Sequence, residues 1–316
     1  MSEKVYEFGK YRLDHFLGAG ATSEVYRASL RGALGFEKDV AVKLIHPHAA
    51  EEEETLRSLV NEAHIGSQLR HGNVIQTYEF DEIEGTYYLS MEFIDGWSLE
   101  HLVHFCAETK ISLPLSVVTE VMMAICSGLD YAHNLRDKTG QLINLVHRDL
   151  KPANVVIGRQ AEVKVLDFGV AKTDINPYQT ALQNVAKGTP AYMSPEQVQG
   201  QTLDRRSDIF SIGSILYEIV THCPPVLGND PITVMQSILN PNQEQIRGRF
   251  YQLQPQLLAV FDLCHMQAPN QRYQSAKQVE HDLWKLTQAA PAKGPSLLQW
   301  LDDHRPFLDN EEARLF

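Results

Sequence analysis

The sequence predicts an α+β chain in two lobes, a small β-rich N-terminal lobe followed by a larger helical one. Three observations predict it. The first 95 residues are rich in short runs of β-branched and aromatic residues broken by Gly, Asp and Glu. One short connection, Asp95-Gly96, follows them, and beyond it apolar residues recur at helical spacing. A length of 316 residues suits two such units, each burying its own core.

In chain order, strands are expected at Tyr11–Leu17, Glu24–Leu30, Val40–Ile45, Thr77–Asp81 and Tyr87–Phe93. A helix is expected between the third and fourth, from Glu52 to Leu69, its acids at 51–54 favouring the helix N-terminus. Pro114 opens a second helix with apolar residues at 117, 118, 121, 122, 125, 129 and 132. Two short strands, Val155–Ile157 and Val163–Leu166, precede helices at Asp204–Thr221, Ile232–Leu239, Pro255–Cys264 and Ser275–Leu286. Residues 1–10 read as an extension, 11–288 as the folded domain with its lobes meeting near 94–95, and 289–316 as a linker and tail.

Composition narrows the function. With 43% hydrophobic and 22% charged residues, 19 Gly and 15 Pro, collagen-like and low-complexity classes are excluded. A net charge of −12 repels a phosphate backbone, so nucleic acid is not an expected partner. Four scattered cysteines without a C-x-x-C pair argue against a disulfide framework or zinc ribbon and fit a reducing compartment. The first ten residues lack the apolar stretch of a signal peptide. The most hydrophobic run, Ile209 to Val220, is 12 residues long with Glu218 inside it, against about 20 for a membrane span. No membrane span and a cytoplasmic location are expected.

Gly18-Ala-Gly-Ala-Thr-Ser-Glu-Val25, between two expected strands, could bring backbone N–H groups close to a polyphosphate, although any Gly-rich hairpin looks similar. Val40-Ala-Val-Lys43 puts a lysine inside an apolar strand. Leu59, Glu62, Gly66 and Leu69 share a helix face, so Glu62 points toward burial, where a carboxylate needs a cation such as Lys43. The strongest segment is Val146-His-Arg-Asp-Leu-Lys-Pro-Ala-Asn-Val155, followed after a strand by Asp167-Phe-Gly169.

These motifs, with G-T-P-A-Y-M-S-P-E, S-D-I-F-S-I-G and Q-R-Y farther on, resemble the eukaryotic-like (Hanks-type) Ser/Thr protein kinases, especially the bacterial branch, over about residues 8–288. The resemblance implies the bilobal protein-kinase fold, with ATP and Mg²⁺ (Mn²⁺ as a substitute) as cofactors and proteins as substrates. It implies that Lys43 holds the α- and β-phosphates and pairs with Glu62. Asp149 would accept or orient the substrate hydroxyl proton, Lys151 would neutralise charge on the transferred group, and Asn154 and Asp167 would ligate the metal. The nucleotide would meet Leu17, Gly18, Ala19, Gly20, Val25, Ala41, Lys43, Met91, Glu92 and Ile94, with Met91 behind the adenine and Glu92 to Ile94 as the hinge. Glu196 would pair with Arg272, and Asp208 would brace the catalytic loop. Ser23 stands where the glycine loop has its third glycine, and a longer stretch with a turn at Asp137-Lys-Thr-Gly140 precedes His147.

The same resemblance makes Arg148 a phosphate-responsive residue, joined by Lys172, with Thr180 and then Thr173 as the expected phosphorylation sites. A rival reading, a pseudokinase that binds nucleotide or a partner without turnover, needs a missing catalytic position, and none of the six is missing. A small-molecule phosphotransferase is a third class; the complete segment through Ser194-Pro-Glu196 favours a protein substrate. His46-Pro-His48 and His101/His104 read as solvent-exposed rather than as metal ligands. In the tail, Leu297, Leu298 and Leu301 share a helical face that Pro306 is expected to interrupt, and its apolar residues suggest docking on the same chain or on a partner.

Overall fold

The computed structural model describes residues 5–20, 22–51, 53–168, 190–228, 230–289 and 294–309. Strands β1 (Tyr6–Phe8), β2 (Tyr11–Ala19), β3 (Ser23–Arg31), β4 (Glu37–Ile45), β5 (Thr77–Ile83) and β6 (Thr86–Glu92) form one antiparallel sheet in the order β1-β2-β3-β4-β6-β5. Helices α1 (Pro47–Glu51) and α2 (Glu53–Gly66) connect β4 to β5. The sheet register sets Lys43 opposite Val25 on one side and Leu89 on the other, and Ala41 opposite Met91. β1 extends the sheet by pairing with β2, a strand too short to leave a periodic pattern in the sequence.

The second lobe begins with β7 (Gly96–Ser98), α3 (Leu99–Thr109) and α4 (Leu115–His133), and β7 forms a small sheet with β8 (Val155–Gly158) and β9 (Val163–Val165). Helices α5 (Pro195–Val198), α6 (Arg205–Thr221), α7 (Pro231–Leu239), α8 (Gln243–Leu253), α9 (Leu258–Cys264), α10 (Ala276–Ala289) and α11 (Leu297–Leu308) complete it. The expected face of α4 is buried at each of its seven positions. By length and composition α4 could cross a membrane, unlike the shorter run that looked most hydrophobic in sequence. Here it lies in the core, packed against α6 and α10. α6 is buried around its whole circumference from Ser207 to Thr221, as a central helix must be.

The lobes meet through main chain. Ile75 N–H donates to the Val165 carbonyl at 3.0 Å, and Val165 N–H to the Asn73 carbonyl at 2.9 Å. α4 approaches this segment so closely that a Cβ on Gly128 would stand 2.7 Å from the Asn73 oxygen, which accounts for the glycine. The turn at Asp137 forms as the sequence indicates, with Asp137 Oδ1 accepting from Thr139 N–H and Gln141 N–H.

Three details differ from expectation. His101 is buried, because it shares the inward face of α3 with Leu102 and Phe105; His104 is exposed and bridges Glu108 at 3.1 Å. α11 runs through Pro306 to Leu308. Its buried face is Leu297, Trp300, Leu301 and Leu308, while Leu298 is exposed. Among the described residues no group of three His, Cys, Asp or Glu could hold a metal ion.

Candidate active site

A cleft of about 570 Å³ opens between the β2–β3 hairpin, β4, the start of α3 and the loops around Asp149 and Asp167. The hairpin closes with Gly20 N–H donating to the Ser23 carbonyl at 2.7 Å. A Cβ on Gly18 would meet nothing within 4 Å, and one on Gly20 only the Ser23 oxygen at 3.9 Å. Packing within the chain therefore does not demand glycine there; the space belongs to the cleft.

On one wall, Lys43 Nζ lies 3.4 Å from Glu62 Oε1 and 3.8 Å from Asp167 Oδ1. Burial pushes the Lys43 pKa down, but the Asp167 and Glu62 carboxylates push harder the other way, so it stays a cation, held above its usual range. On the other wall, Lys151 Nζ lies 3.6 Å from Asp149 Oδ2. Asn154 Nδ2 donates to the Asp149 carbonyl at 2.7 Å, leaving its amide oxygen for another partner.

The loop carrying these groups is held from beneath by Asp208, at the N-terminal end of α6. Its Oδ2 accepts from His133 Nε2 at 2.7 Å and from His147 N–H at 2.8 Å, and Oδ1 accepts from Arg148 N–H at 3.1 Å. Burial opposes ionisation of Asp208, yet these donors win and hold its pKa below the usual carboxylate value. His147 is driven toward neutrality by burial. That fits its partners: Nε2–H donates to the Leu166 carbonyl at 2.8 Å, and Nδ1 accepts from Asp149 N–H at 3.3 Å. The His147 ring also rests 4.8 Å from that of Phe168.

Two non-glycine residues here adopt left-handed backbone, Arg148 at φ 66° and Asp167 at φ 50°. Such conformations cost about 1–3 kcal/mol each and persist where the surroundings over-determine them. Nearby, Glu196 and Arg272 form a buried two-point pair at 2.7 and 2.8 Å. Burial raises the Glu196 pKa, but Arg272 more than reverses that, leaving it low. Gln197, one residue on, donates to the Arg148 carbonyl at 2.8 Å.

The family model for the protein kinase domain matches residues 11–284. The chain belongs to the protein kinase family. It is similar to the tyrosine-protein kinase MasK of Myxococcus xanthus, 34% identical over 85% of this chain and 42% of that protein. It is also similar to the serine/threonine-protein kinase PknB of Mycolicibacterium smegmatis, 31% identical over 92% of this chain and 45% of that protein. The chain thus spans less than half the length of these curated relatives. Among solved structures, the kinase domain of Mycobacterium tuberculosis PknI shares the fold with a TM-score of 0.64, at 24% identity over 90% of this chain and 98% of that one.

Of the residues that the kinase resemblance nominated for the nucleotide, Leu17, Gly18, Ala19, Gly20, Val25, Lys43 and Met91 line the cleft, as do Asp149, Lys151, Asn154 and Asp167. Ala41 and Ile94 are buried in an apolar cluster that spans both lobes, with Met91, Val156 and Leu166. The Glu92 side chain is occupied by Lys164 at 2.9 Å and by Gln76 N–H at 3.3 Å. Sequence reasoning missed Thr22, Ser98, Glu100, Ala153 and Leu166, which also line the cleft. Ser98 could have been found as the N-cap of α3, since its Oγ accepts from His101 N–H at 3.1 Å. Lys172, Thr173 and Thr180 lie outside the described residues.

Proposed function

We propose that the chain is an ATP-dependent protein serine/threonine kinase whose domain spans residues 11–288. The observation that carries this reading is the convergence in the cleft of Lys43, paired behind it with Glu62, and Asp167 with Asp149, Lys151 and Asn154. Lys43 offers a buried, permanently charged donor to the α- and β-phosphates, and Glu62 keeps it aimed. Asp149 orients the substrate hydroxyl and accepts its proton as that oxygen bonds to the γ-phosphorus and the bond to the ADP oxygen breaks. Lys151 offsets charge on the transferred group.

The donor set suits Mg²⁺, with Mn²⁺ as a substitute: the Asp167 carboxylate and the spare amide oxygen of Asn154 are hard oxygen ligands at the cleft. Held by these two residues, Mg²⁺ would supply positive charge against the phosphates. The open space beside Gly18 and Gly20, where even an added Cβ would meet little, supports an approach of phosphates to this loop.

Lys151 in H-R-D-L-K-P-A-N and Thr189 in G-T-P-A-Y favour Ser and Thr acceptors in protein substrates, whereas the similar MasK bears a tyrosine-kinase name. Incubation with labelled MgATP and Ser, Thr and Tyr peptides separates these: label on Ser and Thr alone is expected, and label on Tyr alone overturns the acceptor class. Regulation would run through Arg148, with Thr180 first and Thr173 second as phosphate carriers; an active enzyme wholly unmodified from 173 to 187 by mass spectrometry contradicts this. The tail is read as docking in cis, supported by burial of Trp300 and Leu301. A cytoplasmic location completes the proposal.

A further inference from the structure

Arg159, in the turn between β8 and β9, is far in sequence from both segments it joins. Its Nη1 and Nη2 donate to Asp309 Oδ2 and Oδ1 at 3.1 and 2.8 Å, a two-point contact with the end of the tail helix. Its Nε lies 3.0 Å from Asp95 Oδ2, and its guanidinium carbon lies 4.7 Å from the centroid of the Trp97 ring. The main chain joins the same parts: Arg159 N–H donates to the Asp95 carbonyl at 3.0 Å, and the Arg159 carbonyl accepts from Arg305 Nη2 at 3.2 Å.

Asp95 and Trp97 are the exit of the hinge. Gly96 between them lies so close to β8 that a Cβ would stand 2.1 Å from the Ile157 oxygen, so this segment has little room to adjust on that side. Directly after it come Ser98 and Glu100, which line the cleft. A second line of contact runs parallel: the Trp300 and His304 rings of α11 meet Phe105 of α3 at 6.5 and 6.1 Å. The start of the tail is fixed as well. Ser116 Oγ donates to the Pro295 carbonyl at 2.8 Å, and Leu297 N–H donates to Glu120 Oε2 at 2.9 Å.

We propose that the tail helix is a strap that sets the hinge exit and the first turn of α3, with Arg159 as the positioning residue through which it tunes nucleotide binding. The inference rests on the kinase reading above. A two-point Arg–carboxylate contact fixes orientation as well as distance, which a lysine cannot reproduce. The Asp95 contact is more exposed and contributes less by itself. β7 and α3 also pack on Pro152–Asn154, but none of the bonds named above is made to the side chains of Asp149, Lys151 or Asn154, so the strap acts on ATP affinity rather than on the chemical step.

The test is titration of the full chain with MgATP by calorimetry, alongside steady-state KM and kcat, for Arg159→Gln, Asp309→Asn, the double variant and Trp300→Ala. All measurements are made well below each melting temperature. The expected result is a rise in Kd and in KM for ATP of about 5-fold, the low end of coupling between separated sites, with kcat unchanged. The double variant should be no worse than either single one, and Arg159→Lys should recover part of the loss. Variants that melt earlier yet bind MgATP as tightly as the parent would reduce the tail to a stability element and overturn the strap. Binding by the unsubstituted chain separates this outcome from failure of the kinase reading: if it binds no MgATP, both fall.

Discussion

Replacing Asp208 with Asn tests how the catalytic loop is held. The substitution keeps the shape but offers one acceptor oxygen where the carboxylate offers two. Oriented to serve the two donors at Oδ2, His133 Nε2 and His147 N–H, it turns an amide N–H₂ toward Arg148 N–H, which the carboxylate accepts at 3.1 Å. One hydrogen bond to a charged acceptor is lost, at about 1.5–3 kcal/mol, and two become neutral and weaker. The total is about 2–4 kcal/mol. At roughly 2.1 cal/mol/K of unfolding entropy per residue, the melting temperature falls by roughly 3–6 °C. Because the folded pKa of Asp208 is depressed, its contribution is present above the ordinary carboxylate range and is lost as pH falls through the folded value. The gap between the two proteins should therefore hold from neutral pH down to about 5 and narrow only at lower pH. Phosphate transfer should fall roughly 10- to 100-fold, because Arg148 and Asp149 shift together and small misplacements of reacting groups are costly. Thermal melts across pH, with labelled-phosphate transfer at 20 °C below melting, read both effects. An Asn variant that melts with the parent and transfers phosphate at full rate would refute the bracing role.

Arg272→Leu strands the buried Glu196 and leaves three carbonyls, on Met266, Gln267 and Arg206, without their donor; it should cost about 3–5 kcal/mol, roughly 5–8 °C in melting temperature, and a loss below about 1 kcal/mol contradicts the pairing. Glu218, buried beside Tyr192 Oη at 2.5 Å, has its pKa pushed up to about 7, mainly by burial, so its ionisation costs stability as pH rises from about 4.5 to 7. Glu218→Gln should thus gain stability relative to the parent as pH rises from 4 to 8, and an equal difference in melting temperature at both pH values would contradict that. Ending the chain after Pro291 uncovers the α3–α4 surface and should lower the melting temperature, with Trp300→Ala alone costing about 3–5 kcal/mol; unchanged melting, activity and solution mass would remove the tail from the fold.

The parts of the site that the sequence reveals are those whose chemistry depends on residue type. A lysine in an apolar strand and an acid on the buried face of a helix predict each other, and Lys43 and Glu62 do meet. What stays hidden depends on geometry that residue type does not encode. The left-handed backbone at Arg148 and Asp167 is a feature of the folded loops that neither residue type signals. α8 escapes periodicity because only Ile246 and Phe250 of its 11 residues are buried. His101 reads as a polar surface residue until α3 is seen to turn it inward. Arg159 is an ordinary charged turn residue in sequence, and its partner Asp309 lies 150 positions away. Pro306 continues the helix because the backbone partner it forgoes lies in a single turn near the end, where Leu308 is still buried against the core.

The most direct measurement is transfer of labelled phosphate from MgATP to a generic protein substrate by the unsubstituted chain and by Asp149→Ala. Transfer by the first, with none by the second while its melting temperature and MgATP affinity are unchanged, is the predicted result. Undiminished transfer by the Asp149→Ala variant, or MgATP binding by the parent without turnover in either Mg²⁺ or Mn²⁺, would contradict the account.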